Sequence, residues 1–193
     1  MDKLITIYSE INWGILMAVK STEREVSNWL CQIINEILGR GGYPFEEATT
    51  EPSLIDLGGH SKFPDIAIWI NRQAQEAFTF IEIKPPDGHE NLRRIPIVMD
   101  RLKVNYAITW NFKEAKLYYR ETGFLEEKRE YPTYVFDNME EWTRHDKRII
   151  LRKCLRDFLD DLKEYRQKGH QYKLPPNRHY FVKLLREASD KLS

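Results

Sequence analysis

Two apolar runs of strand length, each carrying charge at one end, constrain this chain more than any other feature. Ile66-Ala67-Ile68-Trp69-Ile70 follows Pro64-Asp65, and Phe78-Thr79-Phe80-Ile81 leads into Glu82-Ile83-Lys84-Pro85. The polar stretch Asn71 to Glu76 between them predicts a β-hairpin with a longer loop. Asp65 and Glu82 are 17 positions apart, and pairing of the two strands brings their carboxylates together. Glu82 and Lys84 are two apart on one strand, so both side chains emerge on the same face. Two carboxylates and an ammonium side by side are costly to bury without a task or a cation, and a divalent metal supplies one.

Upstream, Ser21-Thr22-Glu23-Arg24-Glu25 reads as a helix start, a hydroxyl cap followed by acids in the first turn. Val26, Trp29, Leu30, Ile33, Ile34 and Ile37 then recur at helical spacing, predicting a helix over about 22–38 that Gly39, Gly41 and Gly42 end. Tyr43 to Thr50 reads as loop or a short strand, and Ser53 to Leu57 as a short strand stopped by Gly58-Gly59. Pro85-Pro86 breaks the chain after Lys84. Residues 89–104 read as helical, with Pro96 interrupting or starting the helix. Tyr106 to Trp110 and Ala115 to Tyr119 read as two further strands.

The residues Pro64-Asp65 and Glu82-Ile83-Lys84 resemble the PD-(D/E)xK signature of restriction-endonuclease-like nucleases. Tyr106 to Phe112, with Thr109-Trp110-Asn111-Phe112 at its end, and then Lys116-Leu117-Tyr118-Tyr119 are similar to a segment in the nuclease domains of large restriction–modification polypeptides. Together the resemblances span roughly 22 to 120. One subgroup of that superfamily has glutamine four residues before a tyrosine on the following helix. Leu102 stands four before Tyr106 here, which argues against an exonuclease-type, helicase-associated member.

The resemblance implies a fold and a chemistry. The fold is α/β: a restriction-endonuclease-like core with a mixed central sheet of four to five strands flanked by helices. Asp65 and Glu82, with the carbonyl of Ile83, would hold Mg²⁺, for which Mn²⁺ substitutes. Lys84 would stand beside the attacking water. It stays a cation there, since its ordinary pKa is about 10.4 and two acids flank it. A glutamate on the first helix reaches the same site in many members. Glu23 lies roughly 50° from the centre of the apolar stripe and Glu25 roughly 110°, so Glu23 is preferred; the alternative is that both acids only complement the helix dipole.

The tail has a different character. From about Glu140 to Arg166 an apolar stripe of Ile149, Ile150, Leu151, Leu155, Phe158, Leu159 and Leu162 predicts a helix. Gly169 breaks it, Pro175-Pro176 restarts it, and a last helix is expected over about 178–191. The organisation expected is an α/β core over 1–136 and a helical extension, lid or connector over 137–193. A chain that ends soon after a helix also suggests one piece of a longer polypeptide.

Composition narrows the rest. The 193 residues carry 30 basic and 30 acidic side chains, so no strong overall basicity serves nucleic acid. DNA binding would fall to local clusters: Arg93, Arg94, Arg101 and Lys103 after the motif, or Lys147, Arg148, Arg152 and Lys153 in the tail. Either cluster also reads as an ordinary solvated helix face. Cys31 and Cys154 read as small core residues, a usage that suits a reducing cytoplasm. No apolar run is long enough for a bilayer, so no membrane partner is expected. No P-loop or methyl-donor glycine motif occurs within the 193 residues. Such activities would belong to further domains or subunits: a methyltransferase, a helicase, a specificity subunit. Double-strand cutting would call for a dimer on DNA.

Three readings follow. The first is a metal-dependent DNA endonuclease domain, the cleavage module of a restriction–modification system. The second is a repair or mobile-element nuclease with the same site. The third is a non-catalytic DNA-binding or assembly module with a nuclease-like fold.

Overall fold

The computed structural model describes residues 23–50, 64–86, 88, 92–131, 145–174 and 189. The first helix, α1 (Glu23–Leu38), places Val26, Leu30, Ile33, Ile34 and Ile37 on one buried face, as three- and four-residue spacing requires. Gly41 ends it with φ of 82°, its N–H donating to the Leu38 carbonyl at 2.9 Å. The sheet then begins with β1 (Glu47–Thr50), followed by the hairpin strands β2 (Ile66–Asn71) and β3 (Glu76–Ile83). After α2 (Arg94–Leu102) come β4 (Tyr106–Trp110), β5 (Ala115–Tyr119) and β6 (Glu126–Tyr131), and then the long α3 (His145–Lys168).

The six strands lie side by side in chain order. Every neighbouring pair is antiparallel except β3 and β4, which are parallel. A parallel pair needs a crossover connection, and α2 provides it. Strand alternation sends successive side chains to opposite faces. Ile66, Ile68, Ile81, Ile83, Ile108 and Leu117 pack on one side with the buried faces of α1 and α3. Ala67, Trp69, Phe80 and Ala107 pack on the other with Ile95, Val98, Met99 and Leu102 of α2. Because both faces are covered, the central strands are apolar at nearly every position, and the run of buried residues in β2 and β3 follows from that.

The architecture is α/β, a mixed sheet with helices on both faces and a C-terminal helix, as expected. Among the described residues the strand count differs: six rather than four or five. The added strand is β6, Glu-Glu-Lys-Arg-Glu-Tyr, whose charge hides any apolar alternation. It is an edge strand, and charged side chains on an edge discourage pairing with another chain. Pro96 falls in the first turn of α2, where its missing N–H has no intrahelical role. The tail helix shares the core of α1: Leu151, Leu155, Phe158, Leu159 and Leu162 are buried with it. The expected lead-in over 1–19, the strand at 53–57 and the last helix at 178–191 lie outside the described residues.

Candidate active site

The β2–β3 register pairs Ile66 with Ile81, and one further step sets Asp65 opposite Glu82. The Asp65 carboxylate is fixed there: its Oδ2 accepts the main-chain N–H of Ile83 at 2.6 Å. Glu82 shares its face of β3 with Phe80 and so points toward the α2 side. It is only 1% exposed. A carboxylate buried that deeply costs several kcal/mol unless cations and hydrogen bonds compensate.

Two cations do so, and both use the same oxygen. Lys84 Nζ donates to Glu82 Oε1 at 2.9 Å, and Arg94 Nη1 donates to it at 2.5 Å. The Lys84 ammonium also donates to the Ile83 carbonyl at 2.9 Å. Its main-chain N–H donates to the Trp110 carbonyl on β4, likewise at 2.9 Å, which fixes the base of the side chain. The other carboxylate oxygen, Glu82 Oε2, is buried and has no hydrogen-bond partner among the described residues. Asp65, Glu82 and Lys84, picked out by their spacing, thus gather at one end of the hairpin. The two atoms on which Lys84 rests, Glu82 Oε1 and Ile83 O, include the carbonyl expected to face a metal.

The row continues across the sheet. Register sets Glu82 beside Thr109, Thr109 beside Lys116, and Lys116 beside Glu130. Burial alone would lower the pKa of Lys116. The hydrogen bond and charge of Glu127, 3.2 Å away, outweigh it and hold the ammonium above its ordinary value. A cavity of about 190 Å³ opens beside Lys84 along this row, lined by Lys84, Leu92, Thr109, Asn111, Lys116 and Tyr118 among others. Asn111 shapes its edge. Its Oδ1 accepts the N–H groups of Lys113 and Glu114, and its Nδ2 donates to the Gly88 carbonyl at 3.1 Å, tying the β4–β5 turn to the loop after Lys84.

The remaining expected site residues divide. Glu23 is the first residue of α1, and its side chain lies outside what is described. Glu25 is exposed. Arg93, Arg101 and Lys103 are exposed on or beside α2, whereas Arg94 turns inward to Glu82 instead of lining an approach. Of the tail cluster, Arg152 pairs with Glu36 at 2.5 Å and Arg148 lies over the Trp29 ring. Spacing missed Arg94 as a partner of Glu82, and it missed Lys116 and Thr109 as neighbours. The one signal for Thr109 and Lys116 was a polar residue inside an otherwise apolar strand, which acquires meaning only with the register.

Among the described residues no three His, Cys, Asp or Glu side chains come together as a metal group. Two carboxylates and a carbonyl fall below that number. No helix of the described residues is long and apolar enough to cross a membrane. No family model, curated protein or solved structure matches the chain.

Proposed function

We propose that this chain is a Mg²⁺-dependent endonuclease domain with a restriction-endonuclease-like core, the cleavage module of a restriction–modification system. The observation that carries the reading is the Glu82 carboxylate: buried, set opposite Asp65, held by Lys84 through one oxygen and without a partner among the described residues at the other. Asp65, Glu82 and the Ile83 carbonyl would hold the cation. The fit rests on Oε2, which has no partner among the described residues, and on an all-oxygen donor set of the kind Mg²⁺ takes. When bound, Mg²⁺ supplies a water of lowered pKa and a positive charge against a phosphate oxygen.

The chain's own residues do the rest. Asp65 keeps its orientation through the Ile83 N–H. Lys84 presents an ammonium whose N–H groups favour the negative charge that grows as the water oxygen, giving up its proton to solvent, bonds to phosphorus and the ester oxygen departs with its electron pair and takes a proton from solvent. Glu23, at the start of α1, adds a further carboxylate in this reading. No covalent enzyme intermediate is needed. Burial raises the Cys31 thiol to about 11 and Cys154 higher still, so neither is a nucleophile. Recognition of DNA sequence falls to further domains or subunits. Incubation with supercoiled plasmid, in Mg²⁺ and in a chelator, tests the proposal. Nicking in Mg²⁺ alone is expected. No nicking under either condition would leave a DNA-binding or assembly module.

A further inference from the structure

We propose that the cavity beside Lys84 is a subsite for a second, unreacting phosphate of the nucleic-acid strand, and that Lys116 and Tyr118 are the positioning residues that hold it. The inference rests on the reading of the site as one that acts on nucleic acid. Register carries the placement. Thr109 lies beside Glu82, and Lys116 lies beside Thr109. Neighbouring strands are about 4.8 Å apart, so the main chain at Lys116 is about 10 Å from that at Glu82. Lys116 and Tyr118 are two apart on β5, so both share the face that Glu82 occupies. Each strand of B-DNA advances about 3.4 Å along the axis per nucleotide, so a phosphate held at Lys116 lies within about three nucleotides of the bond at Glu82.

Size and lining choose the ligand. The volume of about 190 Å³ is below the roughly 300–1,000 Å³ of pockets that enclose a whole small molecule. The cavity also opens to solvent, so it suits one group of a longer chain. Beside Lys84 its wall offers the Lys116 ammonium and the hydroxyls of Thr109 and Tyr118, all hydrogen-bond donors. Tyr118 hydrogen-bonds to Thr109, and both side chains are held almost fully buried. Leu92, half exposed, adds an apolar wall against which a sugar can rest. The acids that face Lys116 are Glu114 on the cavity wall and Glu127 and Glu130 on β6. Glu127 accepts one of the three ammonium N–H groups of Lys116 and keeps it charged. Glu114 and Glu127 are both exposed. An ion pair with an exposed partner is weak, so a phosphate competes with Glu127 for the ammonium.

The test is fluorescence anisotropy of a labelled duplex in chelator, over a range of salt, with the full chain and with Lys116→Gln, Lys116→Arg, Tyr118→Phe and Glu127→Gln. Circular dichroism checks folding. Lys116→Gln should weaken binding about tenfold and flatten the log–log salt slope by about 0.9, the value of one lost phosphate contact. Lys116→Arg keeps the charge and should restore the slope. Tyr118→Phe should weaken binding about threefold at an unchanged slope, since a neutral donor releases no counterion. Glu127→Gln breaks the same ion pair but leaves the ammonium, so binding should hold or tighten. In Mg²⁺, Lys116→Gln should raise KM about tenfold and leave kcat within about twofold, the mark of an interaction made equally in ground and transition states. An unchanged slope in Lys116→Gln, or equal losses in Lys116→Gln and Glu127→Gln, with cleavage intact, would make Lys116 a structural ion-pair partner and overturn the inference alone. If Lys116→Gln does not fold, Tyr118→Phe and Glu127→Gln decide: no loss in the first, or a loss in the second, overturns the inference. The expected binding losses without cleavage by wild type would overturn the hydrolytic reading and leave the subsite. No duplex binding by wild type would overturn both.

Discussion

Asn111 satisfies two main-chain N–H groups and donates to a third partner, the Gly88 carbonyl, all with one amide. Its removal leaves those groups to water or to nothing. Asn111→Ala should therefore cost about 1–3 kcal/mol in urea denaturation. Asn111→Asp keeps the acceptor and loses the donor, so it should lose less than alanine; an aspartate as damaging as alanine would mean that the Gly88 contact dominates. Residues of this kind show what a sequence can and cannot say. Asp65, Glu82 and Lys84 were legible because a hairpin converts spacing into adjacency: opposite strands meet, and positions two apart share a face. Arg94 was legible only as a basic residue. Its contact with Glu82 depends on how α2 crosses the sheet, and nothing in the spacing from Lys84 to Arg94 encodes that path.

Among the elements, β4 and β5 were readable to the residue because their apolar and aromatic content is strong and their turn is short. The first helix was readable from periodicity. β6 was not, since five of its six residues are charged and it lies at the edge of the sheet. That strand nevertheless anchors α3. Asp161 on α3 is buried and pairs with Arg129 on β6 at 3.0 Å, with Tyr131 beside it. Burial is the larger influence and raises the Asp161 carboxyl from 3.8 to about 6, even though Arg129 pulls it down. A raised carboxyl pKa means that the folded state binds the proton more tightly than the unfolded chain. The charge is thus a penalty, fully present above about pH 6 and relieved as the pH falls toward 4. Asp161→Asn removes the titration. Its stability relative to wild type should improve as the pH is raised from about 5 to 7.5, by at most about 1.5 kcal/mol. Urea midpoints for both proteins at the two pH values measure this, and a constant gap would contradict it.

For the whole molecule, charge balance sets the behaviour toward DNA. With 30 basic and 30 acidic residues, the chain should bind duplex no more tightly than ordinary non-specific affinity, about 10⁻⁴–10⁻⁶ M at physiological salt. Exposed Arg93, Arg101 and Lys103 cluster at α2, close in sequence to Arg94 and the site. Neutralising each residue that touches a phosphate should flatten the salt dependence by about 0.9 in the log–log slope. Neutralising the tail residues Lys147 and Lys153 in parallel shows which face meets the duplex. Tight, sequence-specific binding by this chain alone would contradict the assignment of recognition to other domains.

The central claim is that Asp65, Glu82 and Lys84 form one hydrolytic centre. Single-turnover cleavage of a labelled duplex tests it most directly, with wild type, Asp65→Ala, Glu82→Ala and Lys84→Ala compared in Mg²⁺ and in chelator. Each variant should remain folded and bind duplex as wild type does, while its cleavage rate falls at least about a hundredfold, the scale on which a transition-state charge partner acts. Cleavage by Lys84→Ala at the wild-type rate, or by wild type in chelator, would contradict the account.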